Sequence, residues 1–397
     1  MSMSEEAYLA FRKRKARWLN LRFRLCHIFS IQKHRVVFST YEGDGGFCCN
    51  PRYIAEELHR RHPEAELIWL SHSKAGGFPP YIHVVRDTPW RVAYYLSTAH
   101  IWIDNYRKPM GTLKRAGQIY IQTWHASLGF KAVGLYRGKA FPEIARRVSA
   151  WDSQLIDRVL SNSDYCDRIY PKKLLYDGPT LRVGSPRVDP LISCREELKE
   201  RLHDQLQLAP EIKCLLYAPT FRGGVNKDKK QVIAEMPSLD FSRMLRALEQ
   251  KTGNRWCVLL RLHPQLAAKL DKMPIVQEND AVFDVSRVPD MSDILGGCDA
   301  LTTDYSSCAF DAAFAGIPVL LYADDIAAYE QSRGSFMWSR EELPFPLAED
   351  NASLVEAIRS FDEDAYLRNV RGFVKQHGIV EDGHAAQKVV DFLESYL

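Results

Sequence analysis

Residues 300–322 read ALTTDYSSCAFDAAFAGIPVLLY, and they hold in miniature the pattern of the whole chain. Ala300–Thr303 is a short apolar run ending in threonines, Ser307–Ala315 is rich in small residues, and Val319–Tyr322 is apolar again. Strand, helix and strand in so short a span imply a parallel pair joined by a crossover helix. Ala309, Ala312, Ala313 and Ala315 let that helix lie close to a sheet. Thr303, Asp304, Ser306 and Ser307 fall at the turn from strand to helix. Ser306 or Ser307 is expected to cap the helix. Together the first-turn amides, the helix dipole and the two hydroxyls would suit a pyrophosphate. An ordinary capped helix is the plainer alternative.

Working outward, the same alternation runs through residues 214–332. Strands are expected at Cys214–Ala218, Trp256–Leu262 and Val282–Val285, and helices at Phe241–Lys251, Met291–Leu295 and Ile326–Ser332. An earlier series has strands at Val36–Ser39, Glu66–Leu70, Ile101–Asn105, Ile119–Thr123, Val159–Ser161 and Leu181–Gly184, with helices at Pro51–Arg61, Pro89–Thr98 and Ser163–Tyr170. Asn50 before Pro51 reads as a helix cap. Two such series imply an α/β protein of two doubly wound domains facing a cleft, with ligands at the carboxyl ends of parallel strands. The expected division is 1–34, a basic amphipathic segment; 35–193, an N-terminal domain; and 194–397, a C-terminal domain carrying the last helices.

A chain of 397 residues suits two domains. With 46% hydrophobic and 26% charged residues it is globular in composition. A net charge of +3 argues against nucleic acid as a partner. The nine cysteines show no CxxC or metal-ligand spacing and suit a reducing compartment. No acidic residue lies between Glu6 and Glu42, where Arg12, Lys13, Arg14, Lys15, Arg17, Arg22 and Arg24 crowd together. Phe11, Trp18, Leu19, Phe23, Leu25, Ile28 and Phe29 interleave with them. A helix of this kind is expected to lie in an anionic membrane surface, or else to pack on its domain. No run is long and apolar enough for a simple spanning helix.

Several polar side chains fall at strand ends. His125 follows Ile119–Thr123, where an imidazole suits general-base chemistry. Arg261 and His263, two apart on an extended chain, point to one side and could bond a phosphate. Arg222 follows Cys214–Ala218 and could meet phosphate or acceptor. Asp325 and Glu330 could hold hydroxyls, or form part of a solvated face. No Walker loop, no GxGxxG after the first strand, no HExxH and no aspartate pair for a metal diphosphate appear, which favours a metal-independent phosphate site.

Taken in order, Gln122-Thr-Trp-His125, Gly184-Ser-Pro-Arg187-Val-Asp189, Tyr217-Ala-Pro-Thr220, Leu260-Arg-Leu-His-Pro264, Asp284-Val-Ser286 with Pro289-Asp290, and Thr303-Asp-Tyr-Ser-Ser307 through Pro318 resemble the CDP-glycerol glycerophosphotransferases of teichoic-acid and related capsule synthesis. The resemblance covers roughly Ser39 to Gly334. It implies a GT-B fold of two Rossmann-like domains and peripheral attachment to the inner face of the cell membrane. It also implies CDP-glycerol or CDP-ribitol as donor; the expected site has no further cofactor and no metal ligands, and whether a divalent metal assists stays open. By it, His125 corresponds to the general base and His263 to a second essential histidine, while Asp304, Ser306 and Ser307 correspond to the donor motif. The family continues its first histidine as His-Gly-Thr with a following Lys-Lys, whereas this chain has His125-Ala-Ser-Leu-Gly-Phe-Lys131. Trp124, Ser127 and Lys131 are therefore candidates near a polymer or lipid-linked acceptor whose identity stays open, as does the oligomeric state. Two competing readings are a nucleotide-sugar glycosyltransferase of the same fold and a non-enzymatic peripheral membrane protein.

Overall fold

The computed structural model describes residues 5–73, 77–126, 128–220, 238–262, 281–333 and 336–397. The chain divides into two compact units. The first comprises residues 1–127, 133–189 and 378–397, and the second residues 128–132 and 190–377.

In the first unit, β1 (Gln32–Ser39), β2 (Glu66–Ser71), β3 (His83–Arg86), β4 (Ala99–Asp104), β5 (Ile119–Gln122), β6 (Arg158–Ser161) and β7 (Thr180–Arg182) form one sheet in the order β3-β2-β1-β4-β5-β6-β7. Every neighbouring pair is parallel. Alternate residues of each strand serve opposite faces. Val36, Phe38, Trp69, Ile101 and Ile103 pack with Ile54 and Leu58 of α2 (Cys49–Arg61). Val37, Ile68, Leu70, Trp102 and Tyr120 pack with Ala93 and Leu96 of α3 (Pro89–Thr98). Sequence alone did not reveal β3, because its four residues carry too little alternation to register.

The second unit repeats the plan with β8 (Lys213–Ala218), β9 (Trp256–Leu260), β10 (Val282–Asp284), β11 (Ala300–Thr303), β12 (Val319–Tyr322) and β13 (Leu347–Ala348), ordered β10-β9-β8-β11-β12-β13 and parallel throughout. Strand order reverses direction between β1 and β4 in one sheet and between β8 and β11 in the other. Such reversal points open a crevice at the carboxyl ends.

Three expectations change. Asn50 does not cap α2, whose N-cap is Cys48; the buried Asn50 amide instead donates to the carbonyls of Thr123 and Trp124. The last helix, Ala385–Leu393, belongs to the first unit rather than to a block running from 194 to 397. Val389, Val390 and Leu393 join the Ile54–Leu58 core, and the Asp189 carboxylate accepts the amides of Ala385 and Ala386.

The third change concerns the N-terminal segment. It is a helix, α1 (Glu5–Cys26), packed on α3. Its apolar residues divide between two fates. Phe23 and Cys26 are buried in the domain core with Leu19 packed against it, whereas Trp18, Leu21, Leu25, Ile28 and Phe29 are exposed, Ile28 at 80%. A long helix can carry two stripes, and only one of them is buried in the domain.

The loop after β4 fixes α1 from the other side. Gly111 has φ +97°, and a Cβ there would lie 2.2 Å from the Ala16 carbonyl oxygen. Replacing Gly111 with valine should cost roughly 1–3 kcal/mol and loosen α1. A lowered melting midpoint with early proteolytic cleavage inside α1 is the expected result, and an unchanged midpoint would contradict this packing argument.

Candidate active site

His125 stands beyond the end of β5, half-buried, in a chain segment held on all sides. Trp124 before it has φ +51°, a strained conformation for a bulky residue. Three groups maintain it: the Trp124 amide donates to Gln122 Oε1 at 2.9 Å, its carbonyl accepts from Asn50 at 3.0 Å, and Arg187 Nη1 donates to the carbonyl of His125. Lys173 Nζ donates to the next carbonyl, that of Ala126, at 2.9 Å. Tyr41 and Tyr106 flank the imidazole, with ring centroids 5.5 and 5.7 Å away.

The protonation pattern follows from one bond. His125 Nδ1 lies 2.9 Å from the carbonyl oxygen of Asn105. A carbonyl only accepts, so Nδ1 carries the hydrogen and Nε2 keeps its lone pair. Burial pushes the imidazole pKa down to about 4; the Asn105 bond opposes this, while Arg187, Lys173 and Arg107 reinforce it. The side chain is a neutral base at ordinary pH. Burial and the same two arginines lower the Lys173 ammonium to about 8. Asn105 adds one more feature. Its Oδ1 accepts the Tyr41 amide at 2.8 Å, but its buried Nδ2 has no partner among the described residues.

Trp124 is 4% exposed, with its ring against Tyr106 and under Arg107. It therefore walls the site. Ser127 lies outside the described residues.

In the second unit, Thr303 and Asp304 act on the backbone. Thr303 Oγ1 donates to the Ala218 carbonyl at 2.6 Å. The Asp304 carboxylate accepts the Thr220 amide and hydroxyl and the Tyr305 amide. These bonds tie the ends of β8 and β11 together at the reversal point. Ser307 occupies the N-cap position of the helix Cys308–Phe314 but has helical φ/ψ and makes no capping bond, contrary to expectation; Ser306 Oγ accepts from the Cys308 thiol at 3.2 Å. Arg261 turns toward the loop after β10, donating to the Val288 carbonyl at 2.7 Å. Arg222 and His263 lie outside the described residues.

Lys131 and Asp325 come together within this unit around an aromatic group. Tyr305 is 4.2 Å from Tyr329 and 4.9 Å from Phe336, centroid to centroid. The Tyr305 hydroxyl donates to Asp325 at 2.9 Å, and the Lys131 ammonium lies 5.8 Å from the Tyr329 ring. Lys131 also bridges Phe336 through the backbone. The Glu330 side chain is outside what the structure describes, although its backbone belongs to the helix Ile326–Arg333.

Sequence reasoning missed Asn50, Asn105, Tyr106 and Lys173 as neighbours of His125. Only the Gly184-Ser-Pro-Arg187 motif hinted at such a clamp. That motif also carries Ser185, whose amide and hydroxyl both donate to Glu381 at 2.8 Å. No group of three metal-ligating side chains occurs among the described residues, and no described helix is long and apolar enough to cross a membrane.

Each unit is thus built on a parallel sheet whose carboxyl end carries polar side chains. The sequence pattern of the CDP-glycerol:poly(glycerophosphate) glycerophosphotransferases matches residues 21–395, and the chain belongs to that family, whose members are teichoic-acid polyol-phosphate transferases and polymerases. It is 28% identical over 376 residues to the teichoic acid glycerol-phosphate transferase of Staphylococcus aureus (strain NCTC 8325 / PS 47), covering 90% of this chain and 92% of the relative. It is 27% identical over 388 residues to the teichoic acid poly(glycerol phosphate) polymerase of Bacillus subtilis (strain 168), covering 93% of this chain but 50% of the polymerase. The chain thus spans half the length of that relative. Its fold resembles that of the wall teichoic acid polymerase TagF, with a TM-score of 0.81 at 23% identity over 95% of this chain and 93% of that one.

Proposed function

We propose that the chain transfers glycerol phosphate, or a related polyol phosphate, from a CDP-polyol to a hydroxyl of a cell-surface polymer or its lipid-linked precursor. The observation that carries this reading is the state of His125, a neutral imidazole with Nδ1–H anchored and Nε2 without a partner among the described residues.

The acceptor oxygen attacks the phosphorus bearing the polyol. Its proton passes to Nε2, the bond from that phosphorus to the bridging oxygen breaks, and CMP leaves. Burial first, and then Arg187, Lys173 and Arg107, depress the imidazole in the free enzyme; an arriving diphosphate offsets the charge of the three cations and raises basicity when substrate is in place. Asn105 Nδ2 supplies a further donor for a phosphoryl oxygen. Arg261, Ser306 and Ser307, with Arg222 and His263, take the donor phosphates, and Asp304 and Thr303 hold the backbone that presents them. Lys131, Asp325, Glu330 and Ser127 are assigned to the polyol or acceptor. Most of the acceleration then comes from positioning and electrostatics, with no resident cofactor or metal. The exposed row Trp18, Leu21, Leu25, Ile28 and Phe29, with Trp90 of α3 and the α1 cations, is assigned to the inner face of the membrane.

The test is donor choice. Purified protein offered CDP-glycerol, CDP-ribitol and UDP-sugars with a glycerol phosphate oligomer should release CMP from a CDP-polyol alone. Consumption of a UDP-sugar instead would move the chemistry to carbon and reject the proposal.

A further inference from the structure

Gln122, the last residue of β5, is buried and bonded to the chain on two sides. Its Oε1 accepts the Trp124 amide at 2.9 Å, and its Nε2 donates to the Tyr106 carbonyl at 2.9 Å. A peptide N–H only donates and a carbonyl only accepts, so the side-chain amide has one orientation that satisfies both. The second Nε2 hydrogen goes to the Tyr120 hydroxyl, also 2.9 Å away. That hydroxyl gives its own hydrogen to Asp152 Oδ1 at 3.1 Å, its other acceptor, the Tyr106 carbonyl, being farther at 3.5 Å. Asp152 belongs to the helix Glu143–Ser153, and the same carboxylate oxygen accepts the Lys108 amide at 2.9 Å. A directed chain thus runs between Asp152, Tyr120 and Gln122, each at most 3% exposed.

The chain ends on the two segments that hold the imidazole. Trp124, whose amide Gln122 accepts, is the residue of positive φ immediately before His125. Tyr106, whose carbonyl Gln122 bonds, stacks on the imidazole and follows Asn105, whose carbonyl takes the Nδ1 hydrogen. Gln122 therefore spans from the backbone that carries the ring to the backbone that accepts its proton. If those two part, the Nδ1–H bond is lost and nothing keeps the hydrogen off Nε2.

We infer that Gln122 is a positioning residue that fixes the tautomer of His125, and that Asp152, through Tyr120, sets the direction in which the Gln122 amide points. The inference rests on the reading of His125 as the base and deepens it, by naming what holds Nε2 ready to receive a proton.

Gln122→Glu tests this without a change of shape. The ionised carboxylate still accepts from Trp124, but it faces the Tyr106 carbonyl with no hydrogen between the two oxygens and draws the Tyr120 hydrogen away from Asp152. The protonated carboxyl restores a donor. The charged groups around the chain are Asp104, Lys108, Arg107 and Asp152, with Lys173 and Arg187 beside His125. Burial opposes ionisation, so the introduced carboxyl stays protonated above the usual carboxylate range. The variant should therefore come nearest to the wild type in mildly acid solution and lose kcat as pH rises, by roughly ten- to a hundredfold at about pH 8, with KM for the CDP-polyol little changed. A loss of the same size at every pH would be the mark of a merely structural role and would overturn the proposal.

Nitrogen NMR of the full chain labelled at histidine, with His125→Ala to assign the signal, reads the tautomer without turnover. The wild type should show hydrogen on Nδ1 alone. Gln122→Glu should show an Nε2–H fraction at about pH 8 that disappears on titration to about pH 5. Wild-type imidazole signals in the variant at the higher pH would overturn the role of Gln122. Tyr120→Phe, which cuts Asp152 off, should show part of the same Nε2–H signal at both pH values, and a wild-type spectrum there would overturn the role of Asp152. Absence of CMP release by the wild type would reject the transferase reading, while the tautomer signals would still decide what Gln122 does.

Discussion

Replacing His125 with alanine should slow CMP release from CDP-glycerol by about 10³-fold or more, while the donor still binds. In the proposed reaction the imidazole supplies the lone pair that receives the acceptor proton, and among its described neighbours Lys173 and Arg187 are engaged on the carbonyls of residues 126 and 125. Turnover at the wild-type rate would sink the assignment. The pH profile makes the test sharper. A general base must be unprotonated, so activity falls on the acid side as pH drops through its pKa. For the free enzyme that limb should appear in kcat/KM near pH 4, well below the usual histidine range. Bound phosphate raises the imidazole pKa, so the limb in kcat should lie at higher pH than the limb in kcat/KM. Coincident limbs would show that the cations around His125 do not meet the donor.

Asp304 should give the second large effect, by a different route. It is 2% exposed, and its carboxylate accepts the Thr220 amide and hydroxyl and the Tyr305 amide. Alanine leaves these donors without their acceptor, at a cost on the order of 3 kcal/mol or more. It also frees the end of β8 from the end of β11. Asp304→Ala should therefore lower the denaturation midpoint and abolish CDP binding together. Lost turnover with a wild-type midpoint would make Asp304 a direct substrate contact and overturn the structural role.

The same residue illustrates what a sequence discloses and what it conceals. That Asp304 sits at a strand end next to a ligand crevice is legible from the run 300–322, because strand and helix periods are local. Which of its neighbours it binds is not, since Thr220 lies 84 positions away. The two α/β layers were legible for the same reason, whereas β3 and β13 were too short to announce themselves. His125 was legible through its place after an apolar run. Its clamp was not, because Asn50, Asn105, Lys173 and Arg187 come from four parts of the chain far apart in sequence. Ser307 shows the opposite failure: the residue type predicted a cap, but its helical backbone turns the hydroxyl away from that role. In α1 the cations and aromatics were plain and packing on the domain stood as one of two readings, but only the packed structure tells which apolar residues face the core.

The tail from Gly378 onward carries a consequence for how the protein is made. Val389, Val390 and Leu393 complete a core begun by Ile54 and Leu58, and Glu381 ties down Asn162 and Ser185. As synthesis proceeds, everything up to Asp189 emerges well before the residues that seal it. At about 5–20 residues per second, the roughly 190 residues in between take on the order of ten to forty seconds. Throughout that interval the nascent first unit presents an open apolar face beside α2, which marks it as a client for holding chaperones. Its final closure is reached only once the second unit has been made.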